Sequence, residues 1–181
     1  MSRVGAMPIE IPEGIQVNVE GDGVVVSSKS GGSVAFKLGH GIKAVLDNKT
    51  LVLVNGNRDS PRSRVMWGSY RSNINNAVRG LYEGFTVEFE VTGVGYKVAF
   101  DGKKYLSVYL GYSHGVKYAI PEGVTVKCTK PTQFSISGSD RAVVCMVASD
   151  ICSIRKYDPY KGKGISIKGK YIYRKEVTKK K

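Results

Sequence analysis

This chain is poor in the groups that do chemistry. Its 181 residues hold two histidines, three cysteines and 15 acids. Cys128, Cys145 and Cys152 are odd in number and have no paired spacing, which argues against a disulfide framework and for a reducing compartment. Cys145 and Cys152 lie seven apart on one helix face, where a packed thiol is expected in preference to a metal ligand. His40 and His114 have no adjacent carboxylate or nucleophile pattern and read as turn residues near strand starts. The acids are scattered and none forms a recognisable pair, which argues against a hydrolase. No apolar run approaches the ~20 residues of a membrane span, so no membrane partner is expected. No basic stretch followed by an apolar one opens the chain, so no secretory signal is expected. These shortages leave no catalytic residue, no metal ligand, no cofactor and no small-molecule substrate to propose.

Positive charge, by contrast, is plentiful and polarised. The formal net charge is +13. Residues 155–181 carry 11 Lys or Arg against two acids, Asp158 and Glu176. Residues 1–154, with 17 basic and 13 acidic side chains, are close to neutral. A near-neutral body with a cationic arm needs a polyanion, and phosphate neutralisation with counterion release points first to nucleic acid. Tyr157, Tyr160, Tyr171 and Tyr173 are threaded between the charges, and aromatic faces can stack on unpaired bases or pack on ribose. A merely solvating tail would be poorer in tyrosine and in residues such as Ile165, Ile167 and Ile172.

The body reads as two copies of one α+β plan, with domains at 1–82 and 83–154 and the basic arm at 155–181. Period-2 apolar runs lie at 15–19, 24–26, 34–38, 42–46 and 51–54, separated by turn residues. Ser60-Pro61 then starts a helix, with Trp67, Tyr70, Ile74, Val78 and Leu81 on one face, and Gly80 or Gly84 ends it. The second half repeats the order with runs at 85–91, 96–100, 105–110, 116–120, 124–128 and 134–136. Asp101-Gly102 marks a hairpin. Ser139-Asp140 caps a second helix carrying Val143, Val147, Ile151 and Ile154. The expectation is two tandem duplicated domains, each an antiparallel sheet packed with one helix. The clearest internal echo sets Leu38-Gly39-His40-Gly41-Ile42-Lys43 against Leu110-Gly111-Tyr112-Ser113-His114-Gly115-Val116-Lys117. A second echo, Ile11-Pro12-Glu13-Gly14 against Ile120-Pro121-Glu122-Gly123, is out of register with the helices and reads as a recurring turn.

Two glycine-rich stretches bear on function. Gly164-Ile165-Ser166-Ile167-Lys168-Gly169-Lys170 matches the first seven positions of a phosphate-binding loop. Tyr171 follows where Ser or Thr must reach Mg²⁺, and no buried strand precedes it, so the match reads as chance. The backbone logic survives: Gly162 and Gly164 allow close approach to a phosphate while Lys161 and Lys163 supply charge. Gly93-Val94-Gly95-Tyr96-Lys97 interrupts strand alternation as a tight bend, presenting Tyr96 or Lys97 outward.

Taken in order, these motifs resemble one family. Asp158-Pro159-Tyr160-Lys161-Gly162-Lys163-Gly164-Ile165 resembles the C-terminal signature of the bacterial-type large-subunit ribosomal protein L-six family. Ser2-Arg3-Val4-Gly5 with Pro8-Ile9, then Gly93 to Lys97, Gly111-Tyr112-Ser113-His114, and Arg174-Lys175-Glu176 are similar to its other motifs, so the resemblance covers nearly the whole chain. It implies two duplicated α+β domains and a structural role in the large ribosomal subunit. It implies contact with large-subunit ribosomal RNA near the sarcin–ricin loop and stalk base, with neighbouring ribosomal proteins, and proximity to elongation factors. Carried over by position, the RNA-contact residues are Gly93, Tyr96 and Lys97, then Ser113 and His114, then Tyr160, Lys161, Gly162, Lys163 and Gly164, then Arg174 and Lys175. Arg155, Lys168 and Lys170 join them as cations of the same arm. The chain departs from the family at Lys156-Tyr157, usually proline-rich, at Lys168-Gly169, usually acidic, and at Gly115, usually proline.

The expected function is therefore a non-catalytic ribosomal RNA-binding protein, in a cytoplasmic or alternatively an organellar ribosome. The competing readings are an RNA-modifying or nucleotide-using enzyme with a basic substrate arm, and a general binder of anionic surfaces. On this expectation the arm is separable, and truncation after Ile154 leaves a folded body.

Overall fold

Alternating apolar side chains build thirteen short strands and two helices among the described residues of a computed structural model, which are 2–29, 31–57, 59–102 and 104–176. The chain divides into two units between Gly84 and Phe85. The first contains β1 (Ile9–Glu10), β2 (Ile15–Glu20), β3 (Gly23–Ser28), β4 (Ser33–Lys37), β5 (Ile42–Asp47), β6 (Thr50–Asn55) and α1 (Pro61–Tyr82). The second contains β7 (Phe85–Thr92), β8 (Lys97–Phe100), β9 (Tyr105–Tyr109), β10 (Val116–Ala119), β11 (Val124–Lys130), β12 (Gln133–Gly138), α2 (Arg141–Ile154) and β13 (Gly164–Ile167).

The fold is α+β and the duplication is explicit in the strand order. Each unit's antiparallel strands fall into two sheets. The first unit has sheets ordered β2-β3-β4 and β5-β6-β1; the second has β8-β9-β10 and β11-β12-β7. Each strand thus matches the one six places later, and α1 follows β6 as α2 follows β12. The second unit adds β13 outside β7.

Period-2 patterning does the expected work. In β2, Ile15 and Val17 are buried while Gln16 and Asn18 are exposed. Burying such side chains is worth about 1.5–3 kcal/mol each before entropy is counted. α1 starts at Ser60, whose side chain accepts from the Ser63 N–H, with Pro61 at its first position. Asp140 caps α2 by accepting from the Ala142 N–H at 2.8 Å. Ile74 and Val78 on α1, and Val147 and Ile151 on α2, complete the two separate cores.

Two expectations change here. The clearest sequence echo is not a register marker: its first copy joins β4 to β5, whereas its second joins β9 to β10. Three strands therefore separate its second copy from the following helix, whereas two separate its first. Each copy is a buried leucine, Leu38 or Leu110, followed by a glycine turn, a solution that recurs wherever a strand leaves a core. The basic arm also changes character. Gly164–Ile167 is strand β13, antiparallel to β7, and Ile165 is only 2% exposed within the second core. Truncation after Ile154 would remove part of that core. The last residues of the arm, 177–181, lie outside the described residues.

Candidate nucleic-acid interface

The bend between β7 and β8 begins at Gly93, whose φ is +155°. A Cβ there would sit 2.5 Å from the Tyr96 ring, and one on Gly111 would sit 3.1 Å from the same ring. Tyr96 is thus half-buried between two glycines and packs on the second core. Expected as an outward-facing group, it chiefly fixes the bend. The outward positions are Val94, 92% exposed at the tip, and Lys97.

Lys97 is held by an aromatic face, its Nζ lying 5.1 Å from the centre of the Tyr109 ring. That ring in turn covers Gly115, where a Cβ would be 2.7 Å from it. The close approach accounts for glycine after His114. Tyr112 donates its hydroxyl to the Ile154 carbonyl at 2.8 Å, and its ring lies 5.1 Å from the Arg155 guanidinium carbon. Tyr112, and then Tyr96, hold the Arg155 guanidinium still further into its charged range. Ser113 and His114 are exposed in the same β9–β10 loop.

After α2 the chain forms a compact turn. Asp158 organises it: its N–H donates to the Lys163 carbonyl at 2.8 Å, its carbonyl accepts from the Gly162 N–H at 2.8 Å, and its Oδ1 accepts from the Tyr160 N–H at 2.9 Å. Gly164, with φ of +137°, lies so close to the 156–157 backbone that a Cβ would sit 2.7 Å from both the Lys156 carbonyl oxygen and the Tyr157 Cα. This is where the chain leaves the usual proline-rich approach. The later residues fold back: Lys175 N–H donates to the Pro159 carbonyl at 3.0 Å, Lys175 Nζ lies 5.9 Å from the Tyr160 ring centre, and Arg174 approaches Gly162.

These segments meet through β13. Gly164 pairs with Thr92, next to Gly93, and the Ile165 N–H donates to the Arg155 carbonyl at 3.1 Å. Gly93, Tyr96, Ser113, His114 and Arg155, in loops, and Lys97, the first residue of β8, therefore lie at one end of the strand, adjoined by the turn of Tyr160, Lys161, Gly162, Lys163 and Gly164 with Arg174 and Lys175. Lys168 and Lys170 stand at the other end, about 13 Å along an extended strand from Gly164. Lys168 pairs with Glu88 at 2.7 Å, and that partner raises its pKa. Lys161, Lys163, Arg174 and Lys175 are exposed. Tyr157, read from sequence as a face for bases, instead covers Gly162, where a Cβ would sit 3.1 Å from its hydroxyl, and the sequence alone missed the supporting roles of Tyr109 and Tyr112. A tyrosine beside glycine gives the same pattern whether its ring serves a base or covers the glycine.

Of the remaining candidates, Cys145 is exposed on α2, which corrects the expectation of a packed thiol. Cys152 packs against the core and burial raises its pKa, with Lys170 opposing. Lys170 bears on Cys152, near the end of α2, while Cys145 sits near its start. Among the described residues no group of three or more His, Cys, Asp or Glu is placed to hold a metal. No described helix is long and apolar enough to cross a membrane. His40 sits in the β4–β5 turn with φ of +60°, its carbonyl accepting from the Ser63 hydroxyl at 2.8 Å.

Exposed cations beside rings suit phosphate and ribose, not base edges; Gly162 and Gly164, expected to let the backbone approach a phosphate, are buried inside the turn instead. Comparison with known proteins bears on the family. A family model described as ribosomal protein L6 matches residues 92–168, from the end of β7 to just past β13. The large ribosomal subunit protein uL6 of Paramagnetospirillum magneticum is 44% identical over 180 residues, covering 99% of this chain and 100% of that protein. That of Methylocella silvestris is 42% identical over 181 residues, with 99% and 100% covered. That of Methylacidiphilum infernorum is 43% identical over 175 residues, with 97% and 96% covered.

Proposed function

Because the chain belongs to the ribosomal protein L6 family, we propose that it is a structural, non-enzymatic constituent of the large ribosomal subunit that binds large-subunit ribosomal RNA through its second unit. One observation carries the RNA-binding face: Lys97, Arg155, Lys161, Lys163, Arg174 and Lys175 come from segments that meet at the Gly164 end of β13. Rings hold several of these cations, which lowers the entropy lost when a phosphate fixes them. Exposed Ser113 and His114 contribute hydrogen bonds, and the backbone at Gly93 admits close approach, whereas Gly162 and Gly164 are buried and shape the turn that presents Lys161 and Lys163. Lys168 and Lys170 form a separate, weaker contact. The RNA lies near the sarcin–ricin loop and the stalk base, with neighbouring subunit proteins around it and elongation factors docking close by. The setting is the cytoplasmic ribosome of a bacterium, the source type of the relatives above.

Retention of labelled RNA fragments across a salt series tests this. Binding to a fragment carrying the sarcin–ricin loop should weaken linearly on a log–log plot. Each phosphate contact removed by Lys97→Ala or Lys163→Ala should reduce the slope by about one. Equal competition by heparin and by the RNA fragment would reduce the protein to a general polyanion binder. Unchanged slopes in both variants would move the interface elsewhere.

A further inference from the structure

Each unit can be read against its duplicate. In the second unit Val91 N–H donates to the Thr132 carbonyl of the β11–β12 turn at 2.9 Å. Alternate residues of an antiparallel strand face opposite edges, so Glu88 and Glu90 turn their backbone groups outward. There β13 meets them: Ser166 pairs with Glu90, and the Lys168 N–H donates to the Glu88 carbonyl at 2.9 Å. In the first unit Ile11 N–H makes the same bond to the Lys49 carbonyl at 2.9 Å, and Ile9 pairs with Leu51 as Phe89 pairs with Phe134. Pro8 and Glu10 therefore stand where Glu88 and Glu90 stand.

No strand covers that edge among the described residues. Arg71 reaches it from α1 instead, Nη2 donating to the Pro8 carbonyl at 3.0 Å and Nε to the Met7 carbonyl at 3.3 Å. Its guanidinium takes the acceptor that the Lys168 N–H takes in the second unit. The backbone N–H and carbonyl of Glu10 are left facing outward. Beside them, between β1 and the last turns of α1, lies an open groove of about 480 Å³ with Ile11, Pro12 and Tyr82 as its apolar wall and Asn75, Arg79 and Glu83 as its polar one.

We propose that this edge and groove accept a short extended segment of a partner protein by strand addition. The segment alternates β-branched apolar with small or polar residues, as Gly164-Ile165-Ser166-Ile167 does. That occupant is argued from β13: the duplicate seats such a segment at the equivalent edge and buries Ile165 beneath it. Main-chain bonds to Glu10 give the affinity, and one apolar side chain against Ile11 and Tyr82 gives the choice of segment. Pro8, Pro12 and Arg71 keep the open stretch short, which admits a brief strand while blocking edge-to-edge pairing of whole sheets.

The test is a titration of the isotope-labelled full chain with a synthetic peptide copying residues 163–169, followed by amide resonances. Saturable shifts are expected at Glu10, Ile11 and the last two turns of α1. Glu10→Pro removes the outward N–H without touching the β6 ladder and should weaken binding about tenfold, the scale of one lost hydrogen bond. Tyr82→Ala, on the exposed groove wall, should weaken it too, and decides the matter if Glu10→Pro does not fold. Silence at Glu10, unchanged affinity in both variants, or shifts confined to residues 85–92 would overturn the proposal. The last would mean that the peptide only competes with β13.

Discussion

The hydroxyl of Tyr112 donates to the carbonyl of Ile154, 2.8 Å away, where α2 ends. The last carbonyls of a helix have no partner within it, and here a loop tyrosine supplies one. The same ring faces the guanidinium of Arg155, so a helix end and a cation of the interface share one support. Tyr112→Phe should lower the free energy of unfolding by about 1 kcal/mol, read by urea denaturation, and leave RNA retention close to that of the parent. Tyr112→Ala should also lose RNA affinity, because Arg155 loses its platform. Equal RNA retention in the two variants would remove the ring from the interface.

Gly164 and Gly169 both have positive φ, +137° and +84°, yet only Gly164 has backbone in the way of a Cβ. Gly169→Ala should cost about 1–2 kcal/mol for the left-handed conformation alone. Gly164→Ala must also move the 156–157 backbone, so it should cost clearly more and disturb the Asp158 turn. Denaturation of the two variants side by side checks the order.

Ile165 makes the arm part of the domain. Ile165→Ala should destabilise the second unit by about 2–5 kcal/mol, the usual range for such a truncation in a core. Removing residues 155–181 should leave the second unit poorly folded. Removing only residues 171–181 should keep circular dichroism and the thermal midpoint close to the parent while RNA retention falls. A cooperative, unchanged melt of the shorter chain ending at Ile154 would refute this account of β13.

Tyr118 donates its hydroxyl to Asp150 at 3.0 Å, and burial together with that carboxylate pushes its pKa up to about 12. A raised pKa favours the neutral phenol in the folded state. Its contribution to stability is therefore complete below the ordinary tyrosine value of about 10 and disappears as pH rises towards 12. Tyrosinate absorbance should show one group titrating late, and Tyr118→Phe should abolish it. The variant's loss of stability should shrink over the same alkaline interval.

Much of the fold is written in local patterns. Ile15, Val17, Val24 and Val26 alternate as strands must, Ser60-Pro61 announces a helix, and Asp101-Gly102 announces a turn, because each signal is set by neighbours in the chain. β13 escapes such reading. Gly164-Ile165-Ser166-Ile167 alternates over only four residues, inside a run of lysine and glycine whose charge points to solvent. What makes it a strand is the outward edge of Glu88, Glu90 and Thr92, some 75 residues earlier. The same holds for the tyrosines: nothing local separates Tyr96, folded between Gly93 and Gly111, from Tyr171, which is 86% exposed.

The sequence by itself determined the duplicated α+β plan, the polarised charge, the shortage of catalytic groups and, through its motif order, the family. These are matters of composition, period and spacing, which survive without coordinates. Only the tertiary structure decided that the cationic segment is welded to its domain, that Lys168 is paired with Glu88 while Lys97 rests on Tyr109, and that Arg71, among the described residues, takes the place at the β1 edge that β13 takes beside β7. Each of those depends on groups far apart in the chain meeting across a sheet edge, and hydrogen-bond and contact partners at that separation leave no mark in any local pattern.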